Sequence, residues 1–274
     1  MSDLETLTQD LRSAVRAAAP LIEGVGKDSR ALTQQLGNEN GPALTALGQQ
    51  ADQALKSPEG AQVGVLRGAM HDADVFGGRL RRAGGEIGRF QQDLDLAGNH
   101  LREGAKSQAK LVEELGVETP EIKTLGNRLT DLSGAVKAAG TALDGAGRQI
   151  DDVRDSVNKL LRSDLGADRA ETADRIRAAQ TGMRQGADEL KATLGKAAAK
   201  LAEKEPDRLA AMDETDALAK AGEDGSLAKA ADLAKTADAA RNPTPKDQEV
   251  APGSASRAGG RAHNPASPTQ ERGL

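Results

Sequence analysis

Residues 66–115 read LRGAMHDADVFGGRLRRAGGEIGRFQQDLDLAGNHLREGAKSQAKLVEEL, and this stretch decides the fold. Apolar or small residues recur at every seventh position from Leu66 and again from Ala69, and Gln108 is the one exception. A heptad pattern held over so many repeats is typical of one long helix that packs along a seam. At a rise of 1.5 Å per residue, this helix would be about 75 Å long.

A second heptad pattern follows after a short turn and continues to about residue 163, with rows that start at Ile122 and Leu125. Because so few residues separate the two patterns, the two helices are expected to run antiparallel. The register that we favour pairs positions whose numbers sum to about 233, which sets Ala83 opposite Ile150. A register one layer away, summing to about 240, is the alternative. The candidate core residues are Phe76, Leu80, Ile87, Phe90, Leu94, Leu101, Leu143, Ile150 and Val153.

The remaining chain divides into further seams and a tail. Residues 1–204 are predicted to be an all-α, elongated antiparallel helical bundle or coiled coil of three to four long helices. Proline and glycine in the segment 37–42, GNENGP, predict a break in the first seam, and Pro20 predicts a kink. The predicted helices are about 3–36, 42–57, 61–115, 121–163 and 168–204, followed by short Ala-rich helices in 205–241 and a disordered tail in 242–274.

Glycines inside the two central helices indicate close packing. Each glycine in a helix interior costs about 1 kcal/mol relative to alanine, so a helix with this many should be marginal alone. Several of them share heptad position e, next to the seam, where a small residue lets a neighbouring helix approach. This row predicts packing in a group of three or four helices. Its members are Gly77, Gly84, Gly98, Gly126, Gly140 and Gly147.

Composition narrows the class of protein. The 274 residues include two Phe and no Cys, Trp or Tyr, which favours a thin core of aliphatic residues and excludes a cysteine nucleophile or thiolate zinc site. The net charge is −5, without the basic excess of nucleic-acid binders. The start of the chain lacks the blocks of a secretory signal, and no apolar run is long enough to span a bilayer. We therefore expect a soluble protein, either cytoplasmic or exported by a leaderless route, with no nucleic-acid partner and no membrane binding.

No pattern in the sequence predicts a catalytic, cofactor or metal site. His71 and His100 would lie about 43 Å apart on one helix, so they cannot share a metal ion. The segment 24–29, GVGKDS, lacks the glycine and hydroxyl spacing of a phosphate-binding loop. We expect no cofactor and no enzymatic activity, since no nucleophile and base are placed together.

The segment 134–150, GAVKAAGTALDGAGRQI, resembles the helical hairpins of type VII secretion substrates, the bacterial WxG-type proteins and their longer relatives. The resemblance covers about residues 61–165, and no functional residue is carried over, because the chain has neither the Trp of the WxG turn nor a Tyr for the export signal. The resemblance implies a secretion-associated protein. We expect a non-enzymatic protein that binds partner proteins, or a second copy of itself, through helix packing. The alternatives are a cytoplasmic coiled-coil scaffold and a membrane-surface or pore-associated helical protein.

Overall fold

The chain has an all-α fold in the computed structural model, which describes residues 3–58, 62–164 and 168–241. No strand occurs within these ranges. The predicted tail, 242–274, lies outside the described residues, and the division of the chain after residue 204 stays a prediction. The described helices are α1 Asp3–Lys56, α2 Gln62–Leu115, α3 Pro120–Leu161, α4 Arg169–Glu203, α5 Glu205–Glu223 and α6 Ser226–Arg241.

The turn between α2 and α3 is set by the residues that the sequence indicates. Gly116 follows the last residue of α2 with φ of 64°, the left-handed conformation that favours glycine after a helix. The Thr119 hydroxyl accepts a hydrogen bond of 3.5 Å from the backbone N–H of Ile122 and thereby caps α3. Pro120 occupies the first helical position, where its missing N–H costs nothing. Local sequence therefore determines this turn.

Helix α1 corrects the sequence prediction of two helices at about 3–36 and 42–57. The structure has a single helix that continues through both Pro20 and Pro42. Both prolines are exposed, whereas apolar residues on each side of the expected break, among them Leu36 and Leu44, are buried. Most helix stability in proteins comes from packing of the apolar face, and here that packing outweighs the local cost of the proline.

Helices α2 and α3 run antiparallel in the register that the sequence favours. A methyl group added at Gly84 would lie 3.8 Å from Cδ1 of Ile150, and one at Gly98 would lie 3.7 Å from Cγ1 of Val136. Both contacts fit the register that sets Ala83 opposite Ile150, and they do not fit the register one layer away. Glycines on α2 thus give room to branched side chains of α3, as the glycine pattern predicts for that helix.

The other helices pack around the α2–α3 hairpin and enclose the core. Helix α1 and helix α3 each pack against α2 and against α4. Helix α5 follows α4 after Lys204 and also packs on α1 and α3, while α6 packs on α5. Buried residues from all of these helices form one apolar cluster. Its members include the nine candidate core residues, each with at most 5% of its surface exposed.

Substitution of two glycines of α4 by alanine should have opposite effects on the free energy of unfolding. A methyl group at Gly186 would overlap Cγ2 of Val153, a short and stiff side chain in the core, so Gly186→Ala is expected to lower the free energy of unfolding by about 1–3 kcal/mol. Gly195 has no atom within 4 Å of that position, so Gly195→Ala should raise it by about 1 kcal/mol. Urea denaturation followed by circular dichroism measures both. Equal effects would contradict the close approach of α3 and α4.

Candidate functional site

A groove lies along the outer side of α2 and α3. It encloses about 600 Å³. Leu94 and Val136 are buried at its base, and Gly98 and Gly140 lie half-buried beside them. The remaining lining residues are polar or charged: Gln91, Asp95, Arg102, Ser133, Lys137, Thr141 and Asp144.

The charges of the groove follow a fixed order along its length. Because α2 and α3 are antiparallel, Asp144 lies toward one end and Arg102 lies toward the other. On each helix the acid and the base are seven residues apart, which is about 10 Å. In the register that sets Ala83 opposite Ile150, Asp95 and Lys137 lie almost level across the middle of the groove, so only Asp144 and Arg102 mark a distinct acidic end and a distinct basic end.

None of the four groove charges makes an ion pair with another described residue. Asp144 accepts a hydrogen bond of 2.6 Å from Nε2 of Gln91, and Arg102 donates one of 2.5 Å to Asn99. A smaller hollow further along the same two helices differs, because Arg81 there pairs with Asp74 at 3.8 Å. The charges of the larger groove are thus available to a partner.

The glycines separate into two groups that the sequence alone does not distinguish. On α2, Gly77, Gly84 and Gly98 contact side chains of α3. Gly140 and Gly147, at the same heptad position of α3, have no atom of the described part of the chain within 4 Å of an added methyl group. The prediction that the whole row serves packing within the chain does not hold for these two, since their small size leaves open space on the α3 side of the seam.

Several ion-pair clusters join α5 to its neighbours, and none of them was found from the sequence. Arg128 of α3 contacts Asp207 at 3.0 Å and Glu214 at 2.9 Å, and the hydrogen bond with Glu214 raises the pKa of Arg128. Lys204 contacts Asp207 at 3.0 Å, and this hydrogen bond lowers the pKa of Asp207. These ion pairs hold α5 against α3, while the second carboxylate oxygen of Glu214, Oε2, is buried without a hydrogen-bond partner among the described residues.

Another cluster contains a buried arginine. The side chain of Arg208 is 8% exposed and contacts Glu23 of α1 at 3.0 Å. A hydrogen bond from Lys27, together with the charge of Arg208, lowers the pKa of Glu23. Loss of the partly exposed Glu23 would leave the buried guanidinium without this partner, so the contact helps to hold α5 against α1.

The structure places the remaining sequence candidates apart from one another. The segment 24–29 is helical, so it forms no phosphate-binding loop. His71 is exposed and His100 half-buried, and among the described residues no three His, Asp or Glu side chains are grouped to hold a metal ion. None of the helices in the described ranges combines the length and apolar character needed to cross a membrane.

Comparison with known proteins identifies no relative of this chain. No family model, curated protein or solved structure matches this chain.

Proposed function

We propose that this protein is a non-enzymatic helical bundle that binds a partner helix in the α2–α3 groove. In this proposal the long helices form an elongated antiparallel bundle, with α4 and α5 together serving as its fourth column. The antiparallel contacts of α2 with α3 and the packing of α1 and α3 on α4 support this arrangement. An elongated bundle has few enclosed sites and a long outer surface, which suits binding better than catalysis.

The observation that carries the proposal is the combination of small residues and unpaired charges in the groove. Gly140 lowers helix stability by about 1 kcal/mol without making room for any side chain among the described residues. The four charges of the groove likewise have no ion-pair partner among the described residues. A partner helix would use both features, because small residues allow close helix approach and the charges set its position.

The groove also indicates the chemistry of the partner. A helix that lies along it would present small residues to Gly98 and Gly140. It would carry a basic side chain near Asp144 and an acidic one near Arg102, about 20 Å apart along the groove. Such a partner is either a different protein or a second copy of this chain.

The resemblance to type VII secretion substrates extends the proposal to an exported or secretion-associated role. The support for this extension is the similarity of residues 134–150 to the helical hairpins of those substrates. The scaffold and membrane-surface alternatives have no specific observation in their favour.

Photo-cross-linking in the cells that produce the protein tests the proposal. A benzoylphenylalanine at Ser133 in the groove is expected to form an adduct with one polypeptide, and the same group at the exposed Ala192 of α4 is not. Gly140→Leu fills the groove and should reduce the adduct by about tenfold, whereas the matched variant Gly195→Leu should leave it unchanged.

Each outcome of the cross-linking has a definite meaning. A product of twice the 28.4 kDa mass identifies a second copy as the partner. Adducts of equal yield at the two positions, or none at Ser133, would show that the groove is not the binding site.

A further inference from the structure

The middle of helix α1 contains a turn that is helical in spite of its sequence. Residues 37–42 read GNENGP, and all six lie inside the helix. Pro42 has no N–H, so the carbonyl of Asn38 lacks the donor that a helix normally supplies from four residues later. Gly41 is exposed and has no atom within 4 Å of an added methyl group, so packing does not require a glycine there. The backbone of this turn is therefore poorly suited to a helix.

The same turn buries a polar side chain without a partner. Asn40 is 3% exposed, and neither its Oδ1 nor its Nδ2 atom has a hydrogen-bond partner among the described residues. A buried amide that leaves water without a replacement hydrogen bond loses its hydration with no compensation. The straight form of α1 thus carries an unfavourable contribution that would be relieved if Asn40 reached solvent.

One residue of the neighbouring helix holds this turn. Arg79 of α2 donates a hydrogen bond from Nη1 to the backbone carbonyl of Glu39, and its Nε lies 3.5 Å from Oε2 of the same residue. The Arg79 side chain is 23% exposed, so the contact is partly shielded from water. A guanidinium that binds both the backbone and the carboxylate of one residue fixes that residue's position. Arg79 therefore acts as a clasp across α1 and α2.

The other proline of α1 provides an internal comparison. Pro20 is also exposed and inside the helix, and it likewise removes one backbone donor. It follows three alanines, its buried neighbours Ala18, Ala19 and Ile22 are apolar, and no glycine is adjacent. The turn at Pro20 thus combines a proline with good helix formers, whereas the turn before Pro42 contains two glycines and the buried Asn40, whose side chain has no hydrogen-bond partner among the described residues.

We propose that residues 37–42 are a hinge that exchanges between the straight helix and a state broken at this turn. In the straight state Arg79 holds Glu39, and Asn40 is buried. In the broken state the clasp opens, Asn40 is hydrated, and α1 consists of the two helices that its sequence pattern favours. The hinge changes how α1 covers α2 and does not depend on the groove between α2 and α3.

Hydrogen–deuterium exchange of the whole chain tests the hinge. Breaking the turn frees the amides of Asn40, Gly41, Ala43 and Leu44, so these are expected to exchange about tenfold faster than the amides of residues 21–24 beyond Pro20. Arg79→Met should accelerate exchange in residues 39–45 by a further factor of about three, because it removes the clasp. The control Arg81→Met removes only an exposed pair with Asp74 and should leave this segment unchanged. Similar exchange rates at the two proline turns of the unmodified protein would overturn the proposal.

Distance measurements distinguish a hinge from local fraying. Since the chain has no cysteine, spin labels can be attached at Gln34→Cys and Gln49→Cys, two exposed positions about 22 Å apart along a straight helix. A hinge predicts a second, shorter distance whose share falls in Pro42→Ala. The pair Ser13→Cys and Asp28→Cys, which spans Pro20, should give one distance. A single distance for the first pair, equal to that of the second, would exclude bending at residues 37–42.

Discussion

Replacement of Phe76 by alanine is expected to lower the free energy of unfolding by about 3–5 kcal/mol. Phe76 is 0% exposed and is the largest of the fully buried side chains. The chain has two Phe and no Tyr or Trp, so few side chains of the core are large enough to close the cavity. The expected loss of stability is therefore the sum of two contributions: the lost free energy of burying the ring and the cost of the cavity that remains.

The neighbouring residue supplies the control for Phe76. Val75 is 37% exposed, and Val75→Ala should change the free energy of unfolding by no more than about 0.5 kcal/mol. Urea denaturation followed by the helical signal in circular dichroism measures both variants. A loss below about 1 kcal/mol for Phe76→Ala would show that the ring packs against something other than the core of this chain.

The sequence predicted the central part of the fold because heptad periodicity is a local property. The predicted helices 61–115, 121–163 and 168–204 correspond to α2, α3 and α4 with ends that agree within two residues. The register of α2 on α3 also follows from local pattern, since the short turn limits the pairings and large residues must face small ones. Gly116 after the end of α2 and Thr119 at the start of α3 also define the turn of that hairpin from local sequence.

Features that depend on contacts between distant segments could not be predicted in this way. The continuity of α1 through Pro42 depends on packing and on Arg79 of another helix, and neither is visible in the local sequence. Arg208 looks like any other arginine in sequence, although its contact with Glu23 lies far along the chain. Local pattern gives the propensity of a segment, and tertiary contacts decide whether that propensity is followed.

The candidate groove was predictable only in part. The glycine row marked the faces of α2 and α3 that differ from an ordinary coiled coil, because charged residues usually occupy position e. Only the contacts show that Gly84 is used within the chain and that Gly140 is left open. The absence of ion pairs at Asp95 and Lys137 in the described part of the chain likewise required the positions of all neighbouring helices.

Replacement of Pro42 by alanine is expected to raise the free energy of unfolding by about 3 kcal/mol, the typical difference between proline and alanine in a helix interior. Alanine restores an N–H to the carbonyl of Asn38 and removes the clash of the ring with the preceding turn. Because Pro42 is exposed, the substitution disturbs no core contact. In a chain of this size the midpoint of thermal unfolding should rise by about 6–12 °C.

The control for Pro42 is Pro58, which lies just beyond the end of α1 and outside any helix. Pro58→Ala should change the free energy of unfolding by less than about 0.5 kcal/mol, since no helical hydrogen bond is missing there. A gain below about 1 kcal/mol for Pro42→Ala would contradict the expectation and would mean that proline costs little at this turn. That result would arise if the broken form of α1 were the more populated one, because a proline at the start of a separate second helix satisfies its own geometry. The size of the stabilisation by Pro42→Ala therefore indicates whether the straight or the broken form of α1 is more populated in the unmodified chain.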